Sequence, residues 1–425
     1  MRGPDSRTVL SGRDALAYGG GKAVPGVLGL VGVLLLVPVL RPAGYAVYGI
    51  GLTASLVAAA LATGWLGQSR LRFAGHPRLG AAPPPRLVSL CAAGAAAACG
   101  VLLTVLGTAL PLTAGDVAAA AVLAACTARH QLELAGHHAA GAAPAFARAE
   151  CRRAVLALVL AGLAAALTGR AHAALLATAV ATHLARGPHH EAAGRPGPRA
   201  PAPPPAGAER DVLAAWARFG VPLSLWLGGS QLLQSVDRYL LAPLVDTAAL
   251  GAYSAAHDLV TRGTAAVLVP VVLASHHRVA RAWNRGRGQE ADVLLRGVLR
   301  WQLLAGGLAV AVVGLAGTSL GRVVPALDVL ADPWLVLPLA VTAVLWQVAL
   351  TAHRPLELRD RTATMLLLLL AALATKVALT ALAGPVLGVR AAAAASLVAG
   401  LVYVLGCAVC LRGRARSDGR LGATA

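Results

Sequence analysis

Charged side chains inside long apolar runs are the groups of this chain best placed to do chemistry. Asp258 and Arg262 stand four residues apart in one such run, with His257 beside them. The spacing puts acid and base on one helix face, acid first, the order a helix dipole favours. At about 1.5 Å per residue they lie roughly 15 and 21 Å from the outer end of their run, near the bilayer midplane. Arg129 and Glu133 repeat the spacing elsewhere, with His130 and Gln131 between them. Lys376, one of only two lysines, sits in a run that offers it no acidic partner, which suits a watery cavity. Gln231 and Gln234 lie about one turn apart in a further run that ends on Asp237, Arg238 and Tyr239. There the Asp237-Arg238 pair is placed near the outer surface, as an anchor or a working group. A charge at the bilayer centre costs at least about 2.5–3.5 kcal/mol, so each of these residues needs a reason. One reading has them serve a substrate or ion pathway. The other has the acid–base pairs neutralise each other and lock helices together.

The runs that must position these groups number twelve. They cover 23–40, 44–67, 87–109, 115–136, 153–168, 171–185, 214–241, 247–274, 294–318, 333–352, 363–384 and 389–411. About 20 apolar residues span a hydrocarbon core of about 30 Å. The short pair 153–168 and 171–185 reads either as two crossings or as one re-entrant hairpin. Charge then orients the chain. With the N-terminus in the cytoplasm, 28 Lys and Arg fall on that side and four (Arg41, Arg170, Arg322 and Arg390) on the other. The positive-inside rule places both termini in the cytoplasm.

The net charge of +19 would suggest nucleic acid in a soluble domain. Here the cations are carried by loops and aromatics make up 4% of residues, so contact with anionic membrane lipids is the simpler reading and nucleic acid is not expected. The six cysteines (Cys91, Cys99, Cys126, Cys151, Cys407 and Cys410) lie in apolar runs or at a cytoplasmic edge, and read as small packing residues rather than disulfides or metal ligands. Residues 23–40 read as an ordinary first span, not a cleaved signal. No Gly-Lys-Ser/Thr phosphate loop is present, so neither ATP hydrolysis nor any cofactor is expected. Outer loops are short, the longest being residues 319–332 with Asp328 and Asp332, a weak basis for an enzyme.

A proline-dense stretch, 187–211, divides the chain into 1–186 and 212–425 with six runs in each. Proline at that density gives a semi-rigid extended linker. Each half opens alike: Val24-Pro25 answers Val221-Pro222, and Gly44-Tyr45 answers Gly251-Ala252-Tyr253. Because six is even, the halves share orientation. The fold expected is an all-α integral membrane protein of about twelve transmembrane helices in two six-helix bundles, related by a pseudo-two-fold axis along the membrane normal.

Residues 219–260 resemble the seventh and eighth helices of O-antigen-type polysaccharide flippases, of the multidrug/oligosaccharidyl-lipid/polysaccharide exporter superfamily. The resemblance rests on Gly220-x-Pro222, Asp237-Arg238-Tyr239 and Gly251-x-Tyr253-x-x-Ala256. Arg41–Tyr45 and Leu66–Ser69 are similar to that family's first loop and second helix. It implies alternating access by two rocking lobes, and a polyprenyl-(pyro)phosphate-linked oligosaccharide as cargo, moved from the inner to the outer leaflet. Glycan-assembly enzymes would be partners. Cations in low dielectric suit such a diphosphate, and guanidinium geometry suits phosphate. On that basis Arg262, Lys376 and Arg129 are the substrate-binding candidates, with Gln231 and Gln234, and with Arg218 at the cytoplasmic mouth. Asp258, His257 and Glu133 are candidates for carrying protons or a coupling cation. A drug/cation antiporter of the same superfamily should instead show acidic cavity residues. A peptidoglycan-precursor flippase should have more than twelve helices or a more basic first helix. A polymerase-like membrane enzyme should have larger outer loops.

Overall fold

The computed structural model describes residues 12–421 apart from 75, 77, 78, 108, 109, 111, 187–207, 324 and 360. Every regular element among them is helical. Helix α1 (Gly12–Arg72) holds the first two predicted spans in one 61-residue run, bent at Arg41. A residue ahead of proline is driven out of the helical region. Arg41, ahead of Pro42, takes φ 59 and ψ 162, a conformation that costs a non-glycine residue about 1–3 kcal/mol. The expected outer loop at 41–43 is therefore a kink.

Helices α2 (Pro85–Leu106), α3 (Ala114–Ala139), α4 (Ala143–Thr168) and α5 (Ala171–Leu184) complete the first half. The second half holds α6 (Ala208–Leu241), α7 (Thr247–Asn284), α8 (Gly288–Val323), α9 (Pro333–Ala352), the short α10 (Arg354–Leu358), α11 (Thr362–Leu387) and α12 (Val389–Leu421). Each predicted span coincides with a helical segment. The linker lies outside the described residues as far as 207, and residues 208–211 already belong to α6. Residues 153–168 and 171–185 are two separate helices, parted where Gly169 takes φ 64.

Eight helical stretches are long and apolar enough to cross a membrane, and α1 among them is long enough to do so twice. Of the other three, α5 has only 14 residues, while α3 and α7 carry Glu133 and Asp258 with their neighbours. Local signals set the ends. Thr113 and Asp116 form a reciprocal capping box on α3. Asp332 caps α9 at the Trp334 amide, with Pro333 in the first turn. Asp332 also pairs with Arg390 at 2.7 Å, which ties the start of α9 to α12.

The chain has a two-bundle fold of twelve membrane helices, and the contacts between its halves run mainly through α1, which packs against α6 and α7. Two glycines sit where backbones meet closely. A Cβ on Gly251 would overlap the Pro42 carbonyl oxygen, and one on Gly220 that of Trp65. Between these points Ser224 donates to the carbonyls of Ala60 and Leu61, and Thr53 meets Tyr239 hydroxyl to hydroxyl at 2.9 Å. Trp216 is buried in this seam and donates to the Leu79 carbonyl, whereas Trp334 stays exposed.

Candidate functional site

The C-terminal end of α6 carries the centre of a buried charge network. Asp237 and Arg238 are 0% and 2% exposed, and their side chains serve different neighbours. Asp237 accepts hydrogen bonds from the Tyr253 hydroxyl and, more weakly at 3.5 Å, from Ser396; it pairs with Lys376 at 3.0 Å. Lys376 also donates to the Leu233 carbonyl at 2.7 Å, so its ammonium fastens α11 to α6. Arg238 reaches across to α7, where one guanidinium nitrogen bonds Asp258 and lies 3.1 Å from Nδ1 of His257. Arginine can only donate, so that imidazole nitrogen accepts and carries no proton. Tyr45 of α1 donates to the other oxygen of Asp258 at 2.8 Å, and Arg262 approaches the same oxygen at 3.9 Å. Three cations thus share two carboxylates.

A second cluster joins α1 to α4. Glu150, almost fully buried, binds Lys22 and Arg153 at 3.0 Å each. Here two cations share one carboxylate. His130 of α3 is buried with neither ring nitrogen hydrogen-bonded.

These clusters border two cavities. The first, about 300 Å³, lies in the N-terminal bundle and opens against α7. Arg153, Arg262, Tyr45, Tyr48 and Thr178 supply its polar lining, among aliphatic residues of α1 and α4. The second, about 270 Å³, lies in the C-terminal bundle. Gln231, Gln234, His257 and Lys376 meet there, with Trp346, Gln347 and Tyr403. No carboxylate lines either cavity. Among the described residues no three His, Cys, Asp or Glu side chains gather as a metal site would require.

Several candidates change role. Lys376 is not a lone cation: Asp237, on another helix, neutralises it. Asp237 and Arg238, read as an anchor or a working group, are packed laterally by α1, α7 and α11 and bound there to Lys376 and Asp258. Arg129 and Glu133 do not pair. Arg129 turns to Ser89 of α2 at 3.5 Å, while Glu133 faces Arg186 at 3.4 Å and His137 at 3.7 Å. Arg218 is exposed and lines neither cavity, and Pro222 is a half-buried residue within α6. The sequence reading passed over Tyr48, Arg153, Glu150, Trp346 and Gln347. For Glu150 and Arg153 a signal existed, since they stand one helical turn apart; for the other three none did.

An all-helical chain in two bundles, with charged residues buried where they join, is a multi-pass membrane protein. No protein-family model matches the chain, and no curated protein sequence does. Solved structures agree in fold. The eukaryotic MATE transporter AtDTX14 superposes with a TM-score of 0.62 at 13% identity, over 93% of either chain. A MATE protein in its bent conformation gives 0.60 at 15% identity, over 96% of this chain and 94% of that one. An outward-facing multidrug resistance MATE family transporter of the MOP superfamily gives 0.56 at 15%, over 96% and 95%. The architecture of this chain is therefore the MATE-type transporter fold.

Proposed function

We propose that this chain is an alternating-access transporter that carries a polyprenyl-(pyro)phosphate-linked oligosaccharide from the inner to the outer leaflet. One observation carries the reading: cations line both cavities and no carboxylate does. Around the N-terminal cavity the two clusters leave one cation in excess each, Arg262 beside Asp258 and Arg153 beside Glu150. Two surplus guanidiniums in low dielectric match a diphosphate in charge and in hydrogen-bonding geometry. The positive-inside count favours cytoplasmic termini, which puts Lys22, Glu150 and Arg153 at the end where such a cargo is made. Catalysis forms no part of this reading, and glycan-assembly enzymes are the partners it implies.

The MATE neighbours favour a second reading, multidrug export, because one of them is described as a multidrug resistance transporter. Organic cations would meet the surplus charge of Arg262 and Arg153 in the N-terminal cavity and find no carboxylate lining either one, which tells against it. Reconstituted vesicles separate the two. Proteoliposomes should expose a fluorescent polyprenyl-diphosphate oligosaccharide to external glycosidase faster than empty vesicles do, and Arg262→Gln should slow the exposure. Uptake of ethidium with no glycan movement would replace this proposal with the antiporter.

A further inference from the structure

Resting on that reading, we propose that the two cavities divide the cargo: the N-terminal cavity takes the diphosphate, and the C-terminal cavity takes the first sugars of the glycan. The C-terminal cavity is built differently from its counterpart. Its cation is already held, since Lys376 is 2% exposed and bound to Asp237 and to the Leu233 carbonyl. The groups left to meet a ligand are neutral. Gln231 and Gln234 project from α6, and Gln347 from α9. A primary amide donates and accepts at once, as every sugar hydroxyl does.

Gln347 is the third amide of this wall. It is 6% exposed, and its side-chain oxygen has no hydrogen bond and is closed off from solvent as it stands. Buried polar atoms in folded proteins are nearly always paired, so a small turn of this amide into the cavity would bring its oxygen to a donor on a ligand there. Its backbone is held, since Gln302 donates to the Gln347 carbonyl at 2.8 Å.

The cavity also has a flat apolar wall. Trp346 stacks on Trp226 with the rings 16° apart and lies 6.2 Å from Tyr403. Trp226 in turn donates to the Tyr403 hydroxyl at 3.1 Å, and His353 packs edge-on behind it. An indole braced in this way offers a rigid face to the C–H side of a pyranose ring, while amides reach its hydroxyls. Amides and an aromatic plane around a neutralised lysine suit a neutral, hydroxyl-rich ligand better than an anion or an organic cation.

Equilibrium binding to the full-length protein in nanodiscs tests the division. The probes are farnesyl diphosphate and farnesyl-diphosphate-linked diacetylchitobiose. The sugar-bearing probe should bind about ten-fold tighter, the weight of one or two extra buried hydrogen bonds. Gln347→Leu, and independently Trp346→Ala, should bring that ratio to about one, whereas Arg262→Gln should weaken both probes and keep the ratio. Gln231→Leu serves as a third variant should either of the first two fail to fold. A ratio that survives these substitutions overturns the division of the cargo while leaving the transport proposal standing. If the wild-type protein binds neither probe, the transport proposal fails and this inference with it.

Discussion

Two cavities of nearly equal volume, about 300 and 270 Å³, sit in the two bundles of this chain, and they differ in how their cations are held. In the N-terminal cavity Arg262 keeps a third of its side chain exposed and touches Asp258 only at 3.9 Å, because Arg238 and Tyr45 already occupy that carboxylate. In the C-terminal cavity Lys376 is sealed against Asp237. The first arrangement leaves charge available to a ligand; the second uses it to join helices. Residue type alone does not decide which role a membrane-embedded cation plays. The ratio of cations to carboxylates in its immediate cluster does.

The largest effect should come from breaking the shared centre. Arg238→Gln leaves Asp258 buried with weaker partners, and should cost about 3–5 kcal/mol, seen as loss of folded protein or a sharp fall in Tm in detergent. Lys376→Met should be nearly as damaging, since it strands Asp237. The double variant Lys376→Met with Asp237→Asn should recover most of the loss, because replacing both charges of a buried pair is often neutral or even stabilising, by about 1–4 kcal/mol. A double variant as unstable as the single one would mean that Lys376 is more than a structural pair.

Close approach of the bundles gives the next effect. Gly251→Ala and Gly220→Ala each drive a methyl into a facing carbonyl, and should cost about 1–3 kcal/mol by thermal denaturation. Arg262→Gln should move Tm little, consistent with a half-exposed pair worth about 0–1 kcal/mol, yet weaken binding of a lipid diphosphate about ten-fold. That split between stability and binding is what separates the N-terminal cavity from the C-terminal one; a variant that lost stability and kept binding would erase the comparison. Arg129→Gln should be nearly silent in both assays, within about 0.5 kcal/mol, because its side chain reaches Ser89 rather than a cavity.

Much of the architecture was legible beforehand. Apolar run length located each helical segment. The site was legible only in part. Asp258 with Arg262 was read correctly as an i, i+4 pair, since both ends lie on one helix and the spacing dictates their proximity. Arg129 with Glu133 has the same spacing and does not pair, because Arg186 and His137 compete for the carboxylate. Depth counted along a single helix cannot register the helices lying alongside, so the partners of Asp237 and Arg238 were not legible in it.

By itself the sequence determined the helical class of the chain and the place of each apolar segment along it, and from loop charge it predicts a sidedness. Those properties follow from backbone hydrogen bonds closed within each segment and from hydrophobicity summed over neighbours in the chain. Only the tertiary structure decided that Asp237 belongs to Lys376, that Asp258 belongs first to Arg238 and Tyr45, and that Arg262 is thereby left with charge to offer. Those pairings join different helices, and they depend on which faces pack together laterally, a choice made by shape and contact across the bundle and not by spacing along any one helix.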